Sequence, residues 1–401
     1  MGITEKIYER LRRKTNTTSF IPQIDGLRFL AIMMVVLYHI NIFVTVKVPF
    51  TFTRPTGDYW WMFQFLDSGR KGVFLFFVIS GFILAMPFAR AALGQGKPVA
   101  LKSYFLRRLT RLEPPYILVM VACFLGILFL QGNEFAATFP HTVSGLFPRL
   151  AASLVYMHNI IFSQYLSINP VAWSLEIEIQ FYLLVPLLVK VFKLPEIPRR
   201  VLLAGASVVF IFLQRYLHPG VDNLFNYIQY FLFGFLLVDL YLSQVRFKLS
   251  SAVSLIIGCL CLVFIGYVDL SSQSYMEYIF PVVVLGFYLL ALTDAIWKKV
   301  FSLRGLTAIG GMCYSIYLLH YNIIPVIGNK TIFYNVSQSY PLVYLWHTLI
   351  LLPIILICSS VFYLLIERPC MDKDWPVKLC RKIKFFFTRN KLKPHSSAIS
   401  L

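Results

Sequence analysis

The stretch from Asp25 to Val46 reads Asp-Gly-Leu-Arg-Phe-Leu-Ala-Ile-Met-Met-Val-Val-Leu-Tyr-His-Ile-Asn-Ile-Phe-Val-Thr-Val. Beyond Arg28 it is apolar for long enough to cross a hydrocarbon core of about 30 Å. His39 nevertheless sits deep inside it. A charged side chain at the bilayer centre costs about 2.5–3.5 kcal/mol even on the lenient insertion scale, so an ionisable residue kept there is a candidate for a reaction or transport site.

Similar runs recur along the chain. Of the 401 residues 58% are hydrophobic and 14% charged, against an apolar share of about 45–50% in soluble domains. The runs predict an all-α integral membrane protein with ten spans, at about 27–46, 70–89, 114–131, 173–192, 200–217, 224–243, 249–268, 277–296, 307–327 and 341–366. With both termini cytoplasmic, thirty of the 37 Lys and Arg residues fall on inner segments and seven on outer ones, the asymmetry that orients membrane proteins. The net charge of +19 thus points to a lipid bilayer as partner and not to nucleic acid. Residues 1–26 form a basic cytoplasmic segment, 27–366 the membrane domain and 367–401 a basic tail. The tail, with Phe385-Phe386-Phe387 among its basic residues, reads equally as a leaflet-bound segment or a disordered one. Residues 150–165 are apolar, but a crossing there would invert all that follows, so a re-entrant or interfacial piece is expected. No cleavable signal peptide is visible. The seven cysteines lack metal-ligand spacing and read as small buried residues; no metal site is expected.

Counted along helices at about 1.5 Å per residue, His39, Ser80, Glu178 and His320 fall in one layer of the outer leaflet. Imidazole suits general acid–base work, and a carboxylate such as Glu178 can orient it. Ser80 reads as a nucleophile if a base lies nearby, or else as part of a small-residue packing patch with Gly81. Each histidine also has a plainer reading, a buried side chain gluing helices together. At the inner side Arg107, Arg108 and Arg111 precede Pro114-Pro115. Arg108 and Arg111 share a helical face, and guanidinium forks match phosphate oxygens; the rival reading is a topology signal touching lipid phosphate. From Trp173 to Tyr182 the chain holds two acids and an amide. Glu178 pairs with Tyr182 at i, i+4 and Glu176 with Gln180, more than an interfacial Trp173 alone accounts for.

These residues resemble the membrane acyltransferase-3 family. Asp25-Gly26-Leu27-Arg28 with Leu37-Tyr38-His39 is similar to its first-helix signature, and Gly72 to Phe82 to its second-helix motif. Arg107-Arg108-Leu109-Thr110-Arg111 with Pro114-Pro115-Tyr116 resembles its Arg-x-x-Arg region, and Trp173-Ser174-Leu175 with Glu178, Gln180, Phe181 and Tyr182 its fourth-helix motif. Ser315 to His320 and Glu367-Arg368-Pro369 resemble its late landmarks. Phe74, where many relatives carry a small or polar residue, and the extra acid Glu176 depart from the pattern.

The resemblance implies a bacterial inner-membrane enzyme that moves an acyl group, usually acetyl, from cytoplasmic acyl-CoA to a carbohydrate hydroxyl. The acceptor would be a cell-envelope glycan such as lipopolysaccharide O-antigen or exopolysaccharide, free or lipid-linked. Catalysis then falls to His39, Glu178, Asp25, Ser80 and His320, with His39 as base or acyl relay, oriented by Glu178 or by Asp25-side packing. Donor binding falls to Arg28, Arg107, Arg108, Arg111 and Tyr116, and acceptor binding to Trp173, Glu176, Gln180 and Tyr182. The acetyl-CoA arm would rise through a channel between helices. The rival is a transporter or exporter of polysaccharide that uses His39, Glu178 and His320 as a polar path.

Overall fold

The computed structural model describes residues 3–13, 20–48, 59–129, 143–162, 168–217, 222–270, 275–332, 339–372 and 374–378. Among the described residues there is no strand. A short amphipathic α1 (Ile3–Leu11) precedes α2 (Pro22–Lys47), α3 (Trp60–Asp67), α4 (Gly72–Ala92) and α5 (Leu101–Phe129). Two short helices follow, α6 (Val143–Leu154) and α7 (His158–Phe162). Then come α8 (Trp173–Leu188), α9 (Glu196–Leu217), α10 (Leu224–Leu242), α11 (Ser251–Tyr267) and α12 (Met276–Thr293). The chain continues through α13 (Ala295–Phe301), α14 (Arg304–Gly311), α15 (Cys313–Thr331) and α16 (Tyr340–Phe362).

Among the described residues helix fills most of each of the ten predicted spans. Among the described residues six helical stretches are long and apolar enough to cross a membrane: Pro22–Lys47, Trp60–Ala92, Leu101–Phe129, Leu224–Leu242, Met276–Thr293 and Tyr340–Cys370. The protein is an all-α membrane protein. The other four expected spans are shorter or more polar: α8 has 16 residues and two acids, and α11 has 17 residues. Charged ends dilute α9, and polar residues dilute α15. Neither piece of the 150–165 region could cross, since α6 and α7 have 12 and 5 residues. They are separated by Tyr156 at φ 58°. Residues 163–165 and most of the tail lie outside the described residues.

Two expected boundaries move. The third span was expected to begin at Pro114-Pro115, but α5 runs through both prolines from Leu101. Proline has no N–H for the carbonyl four residues back. For Pro114 that carbonyl belongs to Thr110, and the Trp375 indole N–H donates to it at 2.9 Å. Freed backbone groups in membrane helices need such substitutes. The ninth span is interrupted instead. Gly310-Gly311 ends α14, and Met312 turns the chain before α15, as two poor helix formers in a row allow.

Helix α2 stands at the centre, against α4, α14, α15 and α16. Its mixed surface suits that place, with buried residues all round (Ile24, Leu27, Val35, Val36, Ile40), since a helix apolar on every side is a buried one. Helices α4 and α10 cross closely over a long contact. A Cβ on Gly81 would lie 2.3 Å from the Phe231 carbonyl oxygen, and one on Gly234 2.4 Å from that of Val78. Small residues permit such contact between membrane helices. That crossing turns Ser80, beside Gly81, toward α8.

Candidate active site

A cavity of about 800 Å³, counting its open mouth, runs between α2, α4, α5, α8 and α15. Arg28, Arg108 and Arg111 line one end, Ser80, Glu178 and Tyr182 its middle, and Ser174 and Tyr317 the other end. It gathers polar residues that lie up to 289 positions apart in the chain.

At the basic end every cation but Arg108 has a carboxylate. Arg28 Nη1 donates to Asp25 Oδ1 at 2.9 Å, and Arg13 Nη1 lies 3.6 Å from the same oxygen. Arg111 Nη2 is 3.7 Å from Glu367 Oε1. Glu367 reaches back into the bundle because α16 ends in a wider helical turn over Tyr363–Glu367, a distortion often found at functional sites. Its Oε2 accepts from the Ser315 backbone N–H at 3.1 Å and from Ser315 Oγ at 2.6 Å. The carboxylate so occupies the first turn of α15, whose N–H groups have no partner within the helix. Arg108 lies over two rings, its Cζ 5.3 Å from that of Tyr182 and 5.8 Å from that of Tyr104.

In the middle, Glu178 Oε1 accepts from Ser80 Oγ at 2.8 Å and from the Tyr182 hydroxyl. The i, i+4 pairing of Glu178 with Tyr182 is therefore real. At the far end Tyr317 spends its hydroxyl proton on the Val171 carbonyl. Ser174 Oγ, 2.7 Å away, must then be the donor to the Tyr317 oxygen. The lining stops at this bond.

One turn beyond Tyr317 lies a histidine pair. His320 Nδ1 contacts the carbonyls of Ile316 at 3.0 Å and Tyr317 at 2.9 Å. A carbonyl only accepts, so Nδ1 carries the proton, and in a neutral ring Nε2 is then an acceptor. His39 Nδ1 lies 2.9 Å from the Val35 carbonyl and 3.1 Å from His320 Nε2. By the same logic His39 donates from Nδ1 to both, which leaves His39 Nε2 with a lone pair. It has no partner among the described residues. The Tyr38 and Tyr321 rings pack against the imidazole, with centroids 5.0 and 5.3 Å away. Arg28 and His39 are eleven residues apart on α2, three turns, so they share a face about 16 Å apart.

Several expectations need correcting. The four polar groups assigned to one layer form two separate pairs, His39 with His320 and Ser80 with Glu178. Glu178 does not orient His39; His320 occupies that place. Asp25 cannot do so either, because it is held by Arg13 and Arg28 about 21 Å down the same helix. The open channel expected to reach His39 ends instead at Tyr317. Arg107 is exposed and does not line the cavity, since one residue step on a helix turns it off the face of Arg108 and Arg111. Tyr116 is fully buried elsewhere, stacked on Tyr156 and donating to the Ser153 carbonyl at 2.8 Å. Glu176 and Gln180 do not pair with each other. Glu176 accepts from the Asn159 N–H at 3.0 Å and Gln180 from the Leu224 N–H at 2.9 Å, so each caps a neighbouring element. Trp173 packs edge-on to Phe77 and beside Tyr227, outside the cavity lining.

Sequence reading missed Arg13, Ser174, Tyr314, Tyr317 and the role of Glu367. Ser174, Tyr317 and Glu367 did fall inside family landmarks, and Glu367 is also an acid at the end of the longest apolar run, whereas Arg13 and Tyr314 left no such signal. Among the described residues no group of His, Cys, Asp and Glu could hold a metal.

A cationic end, a polar middle and a base-bearing pair are the parts an acyl-transfer enzyme needs. The family model described as an acyltransferase domain matches residues 21–364, and the chain belongs to that family. It is similar to the peptidoglycan O-acetyltransferase OatA of Listeria monocytogenes, 25% identical over 90% of this chain and 57% of that protein. It is likewise similar to the O-acetyltransferase OatA of Staphylococcus aureus, 25% identical over 92% of this chain and 60% of that protein. The chain thus spans little more than half the length of these relatives. No solved structure matches it.

Proposed function

We propose that this acyltransferase moves an acetyl group from acyl-CoA to a hydroxyl of a cell-envelope carbohydrate, with its basic end facing the cytoplasm of a bacterial inner membrane. The observation that carries the reading is the single cavity joining Arg28, Arg108 and Arg111 to the layer directly below the histidine pair. Donor phosphates dock on the guanidinium groups, and the slender pantetheine arm extends past Ser80 and Glu178. The acyl carbon comes up to the Ser174–Tyr317 hydrogen bond that closes the cavity, and transfer requires that bond to part and admit it to His39 one turn beyond. His39 Nε2 takes the proton of the sugar hydroxyl while its oxygen attacks the thioester carbonyl. The C–S bond breaks, and the departing CoA sulfur recovers the proton from His39. His320 Nε2 accepts the His39 Nδ1–H throughout, holding the tautomer and supporting the imidazolium, as the carboxylate does in a hydrolase triad. Direct transfer needs no acyl-enzyme, because a thioester is already activated. The acceptor is drawn from peptidoglycan, which one relative's name specifies, lipopolysaccharide O-antigen or exopolysaccharide.

Mass spectrometry of envelope glycans, with and without the gene and with His39→Ala, tests this. One acetyl mass per modified sugar, absent from the variant at equal protein level, is the expected result. Unchanged glycan chemistry with altered amount or location of polymer overturns it in favour of export.

A further inference from the structure

We propose that Arg13, carried by the segment ahead of α2, is a fourth guanidinium of the anion site and binds phosphate of the acyl donor together with Arg28, Arg108 and Arg111. The proposal rests on the donor reading above and adds to it a residue from outside the membrane helices.

Arg13 is not on a bundle helix, yet its side chain is only 13% exposed. The segment that brings it is tied down on three sides. The Tyr363 hydroxyl donates to the Arg12 carbonyl at 3.3 Å, and Arg368 Nη2 to the Glu9 carbonyl at 3.4 Å. Tyr8 and Thr307 share a hydrogen bond of 3.3 Å. Arg13 is thereby held beside Arg28, on the other side of Asp25.

The charges at this end do not balance. Arg13, Arg28, Arg108 and Arg111 outnumber the carboxylates around them, Asp25 and Glu367 in ion pairs and Glu178 further along the cavity. Asp25 is shared by two cations, and Glu367 already accepts two hydrogen bonds from Ser315. The Nε–H groups of Arg13 and Arg111 are buried and lack an acceptor among the described residues. Burial, with Arg111 and Arg28 close by, pushes Arg13 down to about 9. Buried charge of one sign in excess, with donors unspent, is costly until an anion arrives. Arg28, Arg108 and Arg111 around one cavity, with Arg13 just behind the lining across Asp25, suit a phosphate, whose oxygens only accept and can take guanidinium forks two bonds at a time. That chemistry belongs to the nucleotide end of the donor and also to lipid headgroups. The three cavity-lining arginines favour the donor, because they open onto the interior cavity.

The test is acetyl transfer by membranes carrying wild type, Arg13→Gln, Arg13→Lys and Arg12→Gln, at matched protein levels. Arg12 is exposed and paired with Glu9, and its variant serves as the control. For Arg13→Gln the KM for acetyl-CoA rises roughly tenfold, the scale of one lost charge-assisted contact, while kcat and the acceptor KM stay within about twofold. The inhibition constant of 3′,5′-adenosine diphosphate rises in parallel. Arg13→Lys keeps the charge and loses the fork, and gives a smaller rise in both. It carries the comparison if Arg13→Gln does not accumulate. An unmoved KM and inhibition constant overturn the proposal and leave a lipid headgroup as the anion. A fall in kcat alone overturns it too, making Arg13 a structural prop. Wild-type membranes that turn over no acetyl-CoA sink the donor reading itself, a distinct result.

Discussion

The basic end of the cavity and the histidine pair beyond its far end hold their polar groups by opposite means. At the basic end the groups are charged. Arginines are drawn to Asp25 and Glu367 across 2.9–3.7 Å, with cations in excess. Beyond Tyr317 the groups are neutral. Two imidazoles are fixed by backbone carbonyls one turn back on their own helices, and no charge is required. In the proposed mechanism this difference separates binding from chemistry. An excess of buried charge favours an anion but makes a poor reaction chamber, since its field acts on every proton nearby. Neutral imidazoles with assigned tautomers offer a lone pair at one position and nothing else. Arg28 and His39 share one face of α2, three turns apart, and the proposed donor must bridge that span past the Tyr317 end of the cavity.

Removing the base should have the largest effect. General-base catalysis contributes about 10²–10⁴-fold, so His39→Ala lowers kcat by about 10³-fold. The KM for acetyl-CoA hardly moves, because the arginines are untouched. A radiolabel transfer assay on purified protein checks this. A comparable rise in KM instead would mean that the two ends are not separate.

His320 sharpens the same contrast. His320→Leu removes the acceptor from His39 Nδ1–H but leaves the bond to Val35. A drop in kcat of roughly 10–100-fold is expected, smaller than for His39 because orientation is only partly lost. His320→Gln can present an oxygen near the former Nε2 position, and activity should return in part. Equal losses in both variants would assign His320 to packing.

At the basic end the expected effect shifts from turnover to affinity and stability. Arg111→Ala raises the KM for acetyl-CoA about tenfold and leaves Glu367 without its cation. Unpairing a buried charge costs about 3–5 kcal/mol, so the variant also melts earlier in detergent. Adding Glu367→Gln should recover much of the melting temperature and none of the KM. Recovery of both would show that Arg111 acts through Glu367 and not on the donor.

What could be read from sequence divides along a physical line. Helix positions follow from apolar runs, and among the described residues helix fills most of each of the ten segments. Side-chain direction within one helix follows from period, so Arg108 with Arg111 and Glu178 with Tyr182 were legible. Depth was a poor guide to neighbours. His39, Ser80, Glu178 and His320 were placed in one layer, but sorting them into pairs depends on which helices touch. That is decided by close crossings such as Gly81 with Gly234, which sequence alone does not rank. Arg13, and the role of Glu367, were hidden for another reason. Each reaches the site by leaving regular structure, one from a segment ahead of the bundle and one through a widened turn.

The smallest predicted effect is also a clean discriminator. Arg107 adjoins Arg108 in sequence and belongs to the same basic cluster, so any account based on local charge gives the two equal weight. Geometry does not. Arg107 is exposed, whereas Arg108 lines the cavity over Tyr182. An exposed charge in water is screened within about 8–10 Å at physiological salt, while one at the cavity wall acts on whatever enters. Arg107→Ala should therefore leave the KM for acetyl-CoA within about twofold, and Arg108→Ala should raise it severalfold under the same ionic strength. Equal shifts that fade together as salt is raised would mean that the basic end attracts the donor only by its general field. The cavity would then lose its standing as the binding site, and the division of labour between the two ends would go with it.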